Sequence, residues 1–366
     1  IIMRFSVKKE DIIHQFQSLA AVADKKQTLP ILSNVYLRCE DNDLILKSTD
    51  LEVELEFKCA ATIEQDGEIT IPAKKVADIV RELPDGKINF ELNNDSSKMQ
   101  VQSSTGRYNL ATQAAGDFPD FDTVPSDNKF NINSDELISL IQKTSFAMAN
   151  QDWRHYLNGC LIQKNMNELN MVATDAHRLA VYKLEQADEG DFSGIIPRKT
   201  IIELTKILPK TDDQIQFYIN ANNIVFMYKN FTFKSKLVDG NYPDYTKVIP
   251  SGNGLEISLD RKSLIETLSR VSVLSSEKFK GVKLKTNEGK LEVSAHNPDQ
   301  ESAEEELELD SSSDGFDVAF NVNYLREVLS TIEDEKIKLI SFGTDKSALI
   351  ESSDEKQTLV LMPLLL

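Results

Sequence analysis

The feature that most constrains this fold is a short strand-and-helix unit that recurs six times along the chain. One copy, IIPRKTIIELTKILP at 195–209, spaces its apolar residues along one helix face, and Pro209 ends the helix. The equivalent apolar helix positions in the six copies are Ile12, Ile79, Leu137, Leu204, Leu264 and Val328. They repeat after 124 to 127 residues, with 64 to 67 residues inside each pair. This double spacing predicts three domains of about 122 residues, each made of two similar halves.

Stretches of alternating apolar and polar residues follow each helix, with short polar turns such as 41–43 and 287–289 between them. Strands joined by short turns pair in antiparallel fashion, which predicts an α+β fold with antiparallel sheets and helices gathered on one face. Polar turn residues also cluster at 125–129 and 250–254, where we expect domain joints. The predicted domains are residues 1–127, 128–252 and 253–366.

The charge of the chain is acidic overall but unevenly distributed. With 41 Lys and Arg against 59 Asp and Glu, the net charge is −18, which argues against contact with DNA phosphates. The six helix windows nevertheless hold 15 Lys and Arg against 11 Asp and Glu. These windows are 8–26, 73–83, 134–147, 198–208, 260–274 and 323–332. Helices that share one face would present a mildly basic surface to DNA; the alternative is that helices simply favour Lys and Arg.

Known catalytic and nucleotide-binding motifs are absent from the sequence. It has no GxxxxGK[ST], GxGxxG, GxSxG or HExxH pattern, and no cofactor is predicted. Asp175 and His177 resemble a reactive pair, but Thr174-Asp175 repeats Thr49-Asp50 from 125 residues earlier, which favours a turn at the end of a strand. An enzyme that uses Asp175 and His177 is one alternative function, and a protein-binding repeat scaffold that does not enclose DNA is another.

Metal, membrane and disulfide chemistry are not indicated either. A solvated edge or a charge-matched interface explains the acidic segment 301–306 better than a divalent-cation site does. Cys39, Cys59 and Cys160 are scattered and odd in number, which predicts buried free thiols in a reducing cytosol. The longest apolar run, at 359–366, has eight residues, so no membrane span is expected. No signal peptide is recognised, and the expected location is the cytoplasm.

With the repeats in view, the chain resembles the bacterial sliding clamp family, the beta subunits of DNA polymerase III. The segments that carry the resemblance are TLPIL at 28–32, TDLE at 49–52, DFPDF at 117–121, YLNG at 156–159, ATDAHRLAV at 173–181, SKLVDGNYPDY at 235–245, SEKF at 276–279 and MP at 362–363. Together these segments are specific, whereas each alone is weak. They span the chain from its first domain to its end.

The resemblance implies a DNA sliding clamp with no catalysis of its own. Three clamp domains in each protomer would place helices inside and sheets outside, and two protomers would close head-to-tail into a ring. The ring would encircle duplex DNA without sequence readout and serve as a processivity factor. Short linear peptides would tether the DNA polymerase III alpha subunit, the clamp loader delta subunit, other DNA polymerases, and mismatch-repair and ligase-type proteins.

Three sets of site residues follow from the resemblance. DNA contacts are expected at Lys26, Gln151, Tyr156, Arg198, Lys199 and Arg270. The partner-peptide pocket is expected at Leu157, Thr174, His177, Arg178, Leu179, Pro243, Val248, Val360, Met362 and Pro363. The head-to-tail dimer interface is expected at Lys75, Arg107, Tyr108, Leu110, Val273, Leu274, Glu301, Glu304, Glu305 and Glu306.

Two of these sets also have support from the residues themselves. The apolar end of the chain must pack against something, and Met and Leu side chains suit a pocket that accepts several partners. The alternative is that this end is only the last strand of the third domain. For the interface, the basic and acidic members match in charge, and an open sheet edge needs a cover.

Overall fold

The computed structural model describes residues 3–23, 29–93, 95, 97–121, 129–187, 190–312 and 315–365. The chain separates into two compact units. The first unit is Ile1–Ile138 with Lys199–Leu237, and the second is Ser139–Arg198 with Val238–Leu366.

The helices confirm the repeated windows closely. Over the described residues they are α1 Lys9–Val22, α2 Ala73–Glu82, α3 Ser134–Gln142, α4 Arg198–Ile207, α5 Arg261–Val271 and α6 Val322–Ser330. Each helix begins within one residue of its window. In the windows 134–147 and 260–274, the residues at the end form separate 3-10 turns, at Ser145–Ala147 and Ser272–Leu274.

All strand pairs of the described residues are antiparallel, as predicted. The strands are β1 Arg4–Lys8, β2 Asn34–Glu40, β3 Asp43–Thr49, β4 Val53–Ala60, β5 Thr62–Gln65, β6 Gly67–Pro72, β7 Lys87–Leu92, β8 Lys98–Gln102, β9 Arg107–Ala111, β10 Lys129–Asn133, β11 Gly159–Asn165, β12 Glu168–Thr174, β13 Arg178–Glu185, β14 Phe192–Pro197, β15 Gln214–Ile219, β16 Asn223–Tyr228, β17 Phe231–Lys236, β18 Leu255–Asp260, β19 Gly281–Asn287, β20 Lys290–His296, β21 Ser302–Glu308, β22 Ser311–Ser312, β23 Asp317–Asn321, β24 Lys336–Ser341, β25 Ala348–Glu351 and β26 Gln357–Leu361.

The described part of the first unit contains two sheets. One has the order β5-β1-β7-β8-β9, and the other has the order β10-β15-β16-β17-β4-β3-β2-β6. Helix α1 packs on α2 and on strands β3 and β4. Its Ile12, Phe16 and Leu19 recur at helical spacing, and all three are fully buried. The amphipathic pattern of the sequence therefore points each helix stripe into the core.

The second unit has the same construction in its described residues. Its sheets have the orders β14-β11-β12-β13-β26-β25-β24-β18-β22 and β21-β20-β19-β23. Asp260 caps α5 by accepting a hydrogen bond from the Ser263 amide at 2.6 Å, and this bond lowers the pKa of Asp260. Asn321 caps α6 in the same way, accepting from the Asn323 amide at 3.0 Å.

The first Thr-Asp pair forms a tight turn between β3 and β4. The Thr49 hydroxyl donates to the Val53 carbonyl at 2.7 Å, and Asp50 Oδ1 accepts from the Val53 amide at 2.8 Å. Leu51 between them has a φ of +72°, which the local hydrogen bonds hold in place. Both polar side chains are thus used to close the turn.

The second Thr-Asp pair repeats this turn between β12 and β13. The Thr174 hydroxyl donates to the Arg178 carbonyl at 2.6 Å, and Asp175 Oδ1 accepts from the Arg178 amide at 3.1 Å. Ala176 has a φ of +73°, matching its counterpart in the first unit. The structural explanation of the repeated motif is confirmed, and it accounts for Asp175 without catalysis.

The remaining chemical expectations concern cysteines, metals and membranes. Cys39, Cys59 and Cys160 are free and buried, as predicted, and burial raises the pKa of Cys160 to about 12. Among the described residues, no cluster of three or more His, Cys, Asp or Glu has the arrangement of a metal site. In the same residues, no helix combines the length and apolar character needed to cross a membrane.

Candidate functional site

An apolar groove of about 300 Å³ opens in the second unit. Five chain segments line it: the turn before β11, the turn between β12 and β13, the segment 243–248, the loop before β25, and the end of the chain. The lining residues are Arg154, Tyr156, Leu157, Thr174, Ala176, Arg178, Leu179, Pro243, Asp244, Tyr245, Val248, Ser347, Val360 and Met362. Segments 200 residues apart in sequence therefore converge on one site.

The floor of the groove is made by a cross-strand pair. Leu179 on β13 lies opposite Val360 on β26, and both are only 2% exposed. They join a buried cluster that continues into the sheet with Leu161, Val172, Val181 and Ile195. A ligand side chain entering the groove would meet apolar atoms held in a rigid sheet.

One wall of the groove is the segment that carries the YPDY motif. Asp244 accepts hydrogen bonds from the Thr246 amide at 3.2 Å and from the Thr246 hydroxyl at 2.6 Å, and these bonds lower the pKa of Asp244. Tyr245 packs partly buried against the apolar cluster, which raises its pKa. Val248 at the end of this segment is exposed at the mouth of the groove. These bonds cap the 3-10 turn Tyr245–Val248, which carries the apolar side chains of this wall.

The YLNG motif supplies another part of the groove lining. Leu157 is buried and lines the groove two residues before Gly159. A Cβ atom at Gly159 would lie 2.3 Å from the Ile196 carbonyl oxygen on strand β14. Only glycine allows this close strand approach, which explains its place in the motif.

Arg178 is a structural residue at the edge of the groove. Its guanidinium donates to Asp175 Oδ2 at 3.2 Å and to the Phe146 carbonyl at 2.8 Å, and it forms an ion pair with Glu327. The guanidinium carbon also lies 4.6 Å from the centre of the Tyr324 ring. Because these partners occupy the buried guanidinium, Arg178 positions the turn between β12 and β13.

The end of the chain both completes the sheet and lines the groove. The Met362 amide donates to the His177 carbonyl at 2.8 Å, and the Ser347 hydroxyl lies 3.0 Å from the Met362 sulfur. After Pro363 the chain turns away, and the Leu364 amide donates to the Ala319 carbonyl at 2.7 Å. The apolar end is therefore the last strand and also a groove wall.

The structure brings together most of the residues predicted for the partner pocket. Those that line the groove are Leu157, Thr174, Arg178, Leu179, Pro243, Val248, Val360 and Met362. His177 and Pro363 lie outside the lining, because the His177 ring stacks on Tyr324 at 5.7 Å and Pro363 starts the departing segment.

Sequence reasoning missed several lining residues and assigned one to another site. The missed residues are Arg154, Ala176, Asp244, Tyr245 and Ser347, and Tyr156 was assigned to DNA. All except Ser347 lie within a few residues of predicted pocket residues, and this proximity in sequence could have identified them. Ser347 reaches the groove only through strand pairing of β25 with β26, so no local pattern marks it.

The cations predicted to contact DNA have partners inside their own units. Lys199 donates to the Val22 carbonyl at 3.0 Å and forms an ion pair with Asp50. Arg270 binds Glu305 through two nitrogens, at 2.8 and 2.6 Å. Arg198 donates a weak hydrogen bond to the Met148 carbonyl at 3.4 Å. Lys26 lies outside the described residues, and Gln151 is exposed with a φ of +59°.

The dimer-interface residues of the first unit lie on and near a sheet edge. Arg107 and Tyr108 are exposed on β9, the last strand of its sheet, and Lys75 is exposed on α2. Leu110 on the same strand is only 5% exposed. Leu110 stays a predicted interface residue, on the edge strand that the proposed dimer would cover.

The interface residues of the second unit also surround an edge strand. Val273 is 77% exposed, whereas Leu274 is half-buried. Strand β21 ends its sheet and carries exposed acidic side chains on alternate positions. The four predicted glutamates are Glu301, which accepts from Asn297; Glu305, paired with Arg270; Glu306, paired with Lys290; and Glu304, which is exposed.

Three family models match consecutive parts of the chain. The model of the DNA polymerase III beta subunit N-terminal domain matches residues 3–122, the central-domain model matches 131–244, and the C-terminal-domain model matches 246–365. The chain belongs to the DNA polymerase III beta subunit family.

Similar proteins support the same assignment along the whole length. The beta sliding clamp of Pseudomonas aeruginosa is 39% identical over 366 residues, covering 99% of this chain and 100% of the relative. That of Pseudomonas putida is 38% identical over 368 residues, with the same coverage. The crystal structure of the DnaN sliding clamp of Pseudomonas aeruginosa bound to griselimycin superimposes with a TM-score of 0.93, covering 100% of both chains at 39% identity.

These comparisons confirm the predicted family and the three-domain clamp fold. They also confirm the predicted function, that of a DNA sliding clamp that serves DNA polymerase III as a non-catalytic processivity factor. Family membership favours this function over the scaffold that does not enclose DNA. The Asp175 turn adds an argument against the enzyme, because its carboxylate accepts from the His177 and Arg178 amides.

Proposed function

We propose that two copies of this chain close head-to-tail around duplex DNA and that replication and repair proteins insert short linear peptides into the groove of each copy. The observation that carries the proposal is the groove itself, with Leu179 and Val360 as its floor and Met362 at its mouth. Such a site is suited to Leu and Phe anchors, and a few buried anchors supply most of the affinity of a short peptide.

The proposed partners all share this mode of attachment. They are the DNA polymerase III alpha subunit, the clamp loader delta subunit, other DNA polymerases, and mismatch-repair and ligase-type proteins. An exposed Met side chain adapts to different anchors because it is unbranched and polarizable. One groove therefore serves several partners in turn, in the cytoplasm.

The proposed ring joins the two edge strands described above. Strand β9 of one protomer would lie alongside β21 of its partner, so that each edge strand would cover the other. Lys75 and Arg107 have no ion-pair partner among the described residues, and Glu304 has none there either. Opposite free charges on the two edges favour this head-to-tail orientation over pairing of like edges.

Weak attraction between the ring and DNA is part of the proposal. Lys199 is paired with Asp50 and Arg270 with Glu305, so neither cation is fully available to phosphate. Each neutralised phosphate adds a salt-dependent increment of affinity, and many such contacts would stop sliding. Retention therefore depends on enclosure of the duplex.

Domain limits complete the proposal. We place them at 1–127, 128–252 and 253–366. The first limit falls between the ranges matched by the N-terminal and central models, and the second falls seven residues after the start of the range matched by the C-terminal model.

A retention experiment tests the enclosure. The clamp is loaded by a clamp loader onto a nicked circular plasmid and separated from free protein by gel filtration. We expect the clamp to stay with the circle and to leave after a restriction enzyme linearises it. A control plasmid without the restriction site receives the same enzyme. Equal retention on circular DNA and on linear DNA with free ends would contradict enclosure.

A further inference from the structure

The only Trp of the chain is an exposed side chain beside the groove. Trp153 is 82% exposed, although Trp is usually among the more buried residues. Its neighbour Arg154 lines the groove, and the Arg154 guanidinium carbon lies 5.7 Å from the centre of the indole ring. The indole therefore continues the surface of the groove outward across Arg154.

The loop that carries Trp153 is held by hydrogen bonds on both sides of the indole. The Asp152 amide donates to Asn158 Oδ1 at 3.0 Å, and Asn158 Nδ2 donates back to the Asp152 carbonyl at 2.8 Å. The Ala149 amide donates to the Leu157 carbonyl at 2.9 Å, which closes the base of the loop. Because the backbone of this loop is already held, little conformational entropy is lost from the loop when a partner covers the indole.

The charges around the indole cancel one another. Arg154 donates from Nε to Asp152 Oδ1 at 3.0 Å and from a terminal nitrogen to Asp152 Oδ2 at 2.8 Å. These bonds hold the pKa of Asp152 at about 2, so the pair stays ionised at neutral pH. Because the paired cation offers no net positive charge to phosphates, the surface suits a peptide better than a nucleic acid strand.

We propose that Trp153 is an outer subsite of the groove, on which a partner peptide anchored over Leu179 and Val360 packs an apolar or aromatic residue from outside its anchor segment. The inference rests on the proposed peptide binding in the groove. It adds a second contact that distinguishes partners by the sequence flanking their anchors.

Intrinsic fluorescence tests the proposal directly, because the chain has a single Trp. Three peptides without Trp or Tyr are titrated. One has only the Leu and Phe anchors. The second is extended by about six residues at its N-terminus and the third by about six at its C-terminus, and each extension contains one Phe. We expect one extended peptide to shift the Trp153 emission to shorter wavelength. The short peptide should leave the emission unchanged.

Two substitutions measure the contribution of the indole. Trp153→Ala should weaken binding of that extended peptide about fivefold to tenfold, the effect of losing one interface anchor, and should leave the short peptide within about twofold. Met166→Ala is the matched control, because Met166 is also highly exposed, at 84%, on a turn of the same unit. It should change neither affinity.

The outcomes separate this proposal from the one on which it depends. If the short peptide binds but Trp153→Ala changes neither extended peptide and no emission shift occurs, the outer subsite is wrong and the groove stands. If a single-stranded oligonucleotide shifts the emission while the peptides do not, the indole serves nucleic acid instead. If no peptide binds the wild-type protein, both proposals fall.

Discussion

Lys234 on β17 lies 3.3 Å from Glu54 on β4 and forms an ion pair with it in the first unit. In the second unit, the equivalent cross-strand positions are occupied by Val360 and Leu179. In each pair, one residue lies on the strand that follows the repeated Thr-Asp turn, and the other lies on the neighbouring antiparallel strand. Glu54 comes five residues after Thr49, as Leu179 comes five residues after Thr174. The equivalent strand positions thus carry an ion pair in the first unit and an apolar pair in the second, and only the apolar pair underlies a groove suited to the proposed peptide anchors.

The ion pair can be transferred to test this relationship. Leu179→Glu alone places an unpaired charge in the core and should cost about 3–5 kcal/mol of unfolding free energy. Adding Val360→Lys should recover about 1–3 kcal/mol through the new pair, as measured by a double-mutant cycle in urea. The folded double variant should nevertheless bind the anchor peptide at least about a hundredfold more weakly, because polar desolvation opposes the apolar anchor. Unchanged peptide affinity in the double variant would show that these two residues are not the floor.

The exposed apolar residue beside β21 should matter for ring closure. Val273→Ala with Leu274→Ala removes apolar contacts worth roughly 1–3 kcal/mol each when buried, and should give monomers at nanomolar concentration. Sedimentation velocity measures the mass, and Met166→Ala, a similarly exposed residue on the turn between β11 and β12 and outside the predicted interface, should stay dimeric. A double variant that remains fully dimeric would place the interface elsewhere.

Release of Arg270 from its partner should strengthen contact with DNA. Glu305→Gln removes the carboxylate that binds the guanidinium, so we expect the slope of log affinity against log salt to steepen by about 0.9 for each phosphate gained. Fluorescence anisotropy with a short duplex, measured between about 50 and 200 mM salt, gives this slope. Glu306→Gln is the matched control, because Glu306 pairs with Lys290 on a strand. An identical slope for both variants would mean that Arg270 does not reach phosphate.

The Asp260 cap predicts a pH-dependent stability. Asp260→Ala should lower the unfolding free energy by about 1 kcal/mol at pH 7, whereas Asp260→Asn, which keeps an acceptor, should cost only a few tenths. Because folding lowers the pKa of Asp260, the carboxylate stabilises the protein above the ordinary Asp pKa, and this contribution is lost as the pH falls through the lowered value. Urea unfolding of wild type and Asp260→Ala should therefore converge in acid; a constant difference down to pH 3 would contradict the cap.

Interactions between residues close in sequence made the helices and turns of this fold predictable. The helix starts were predicted within one residue because each start depends on an apolar stripe at helical spacing and on nearby polar or Pro residues. The Thr-Asp turn was predicted for a similar reason, since its hydrogen bonds link residues within four positions. The C-terminal ends of α3 and α5 were predicted less accurately. A tighter 3-10 turn follows each helix, and its apolar residues extend the helical pattern of the sequence.

The amino-acid sequence by itself determined the repeats, the antiparallel α+β class, the family, and most members of the groove, because these depend on local periodicity and on short specific motifs. Only the tertiary structure decided that Leu110 is buried, that His177 stacks on Tyr324, and that Ser347 lines the groove. The physical reason is that burial and pairing depend on which distant strands lie side by side. Strand register determines those neighbours, and it cannot be predicted from a short stretch of sequence because it depends on residues far apart in the chain.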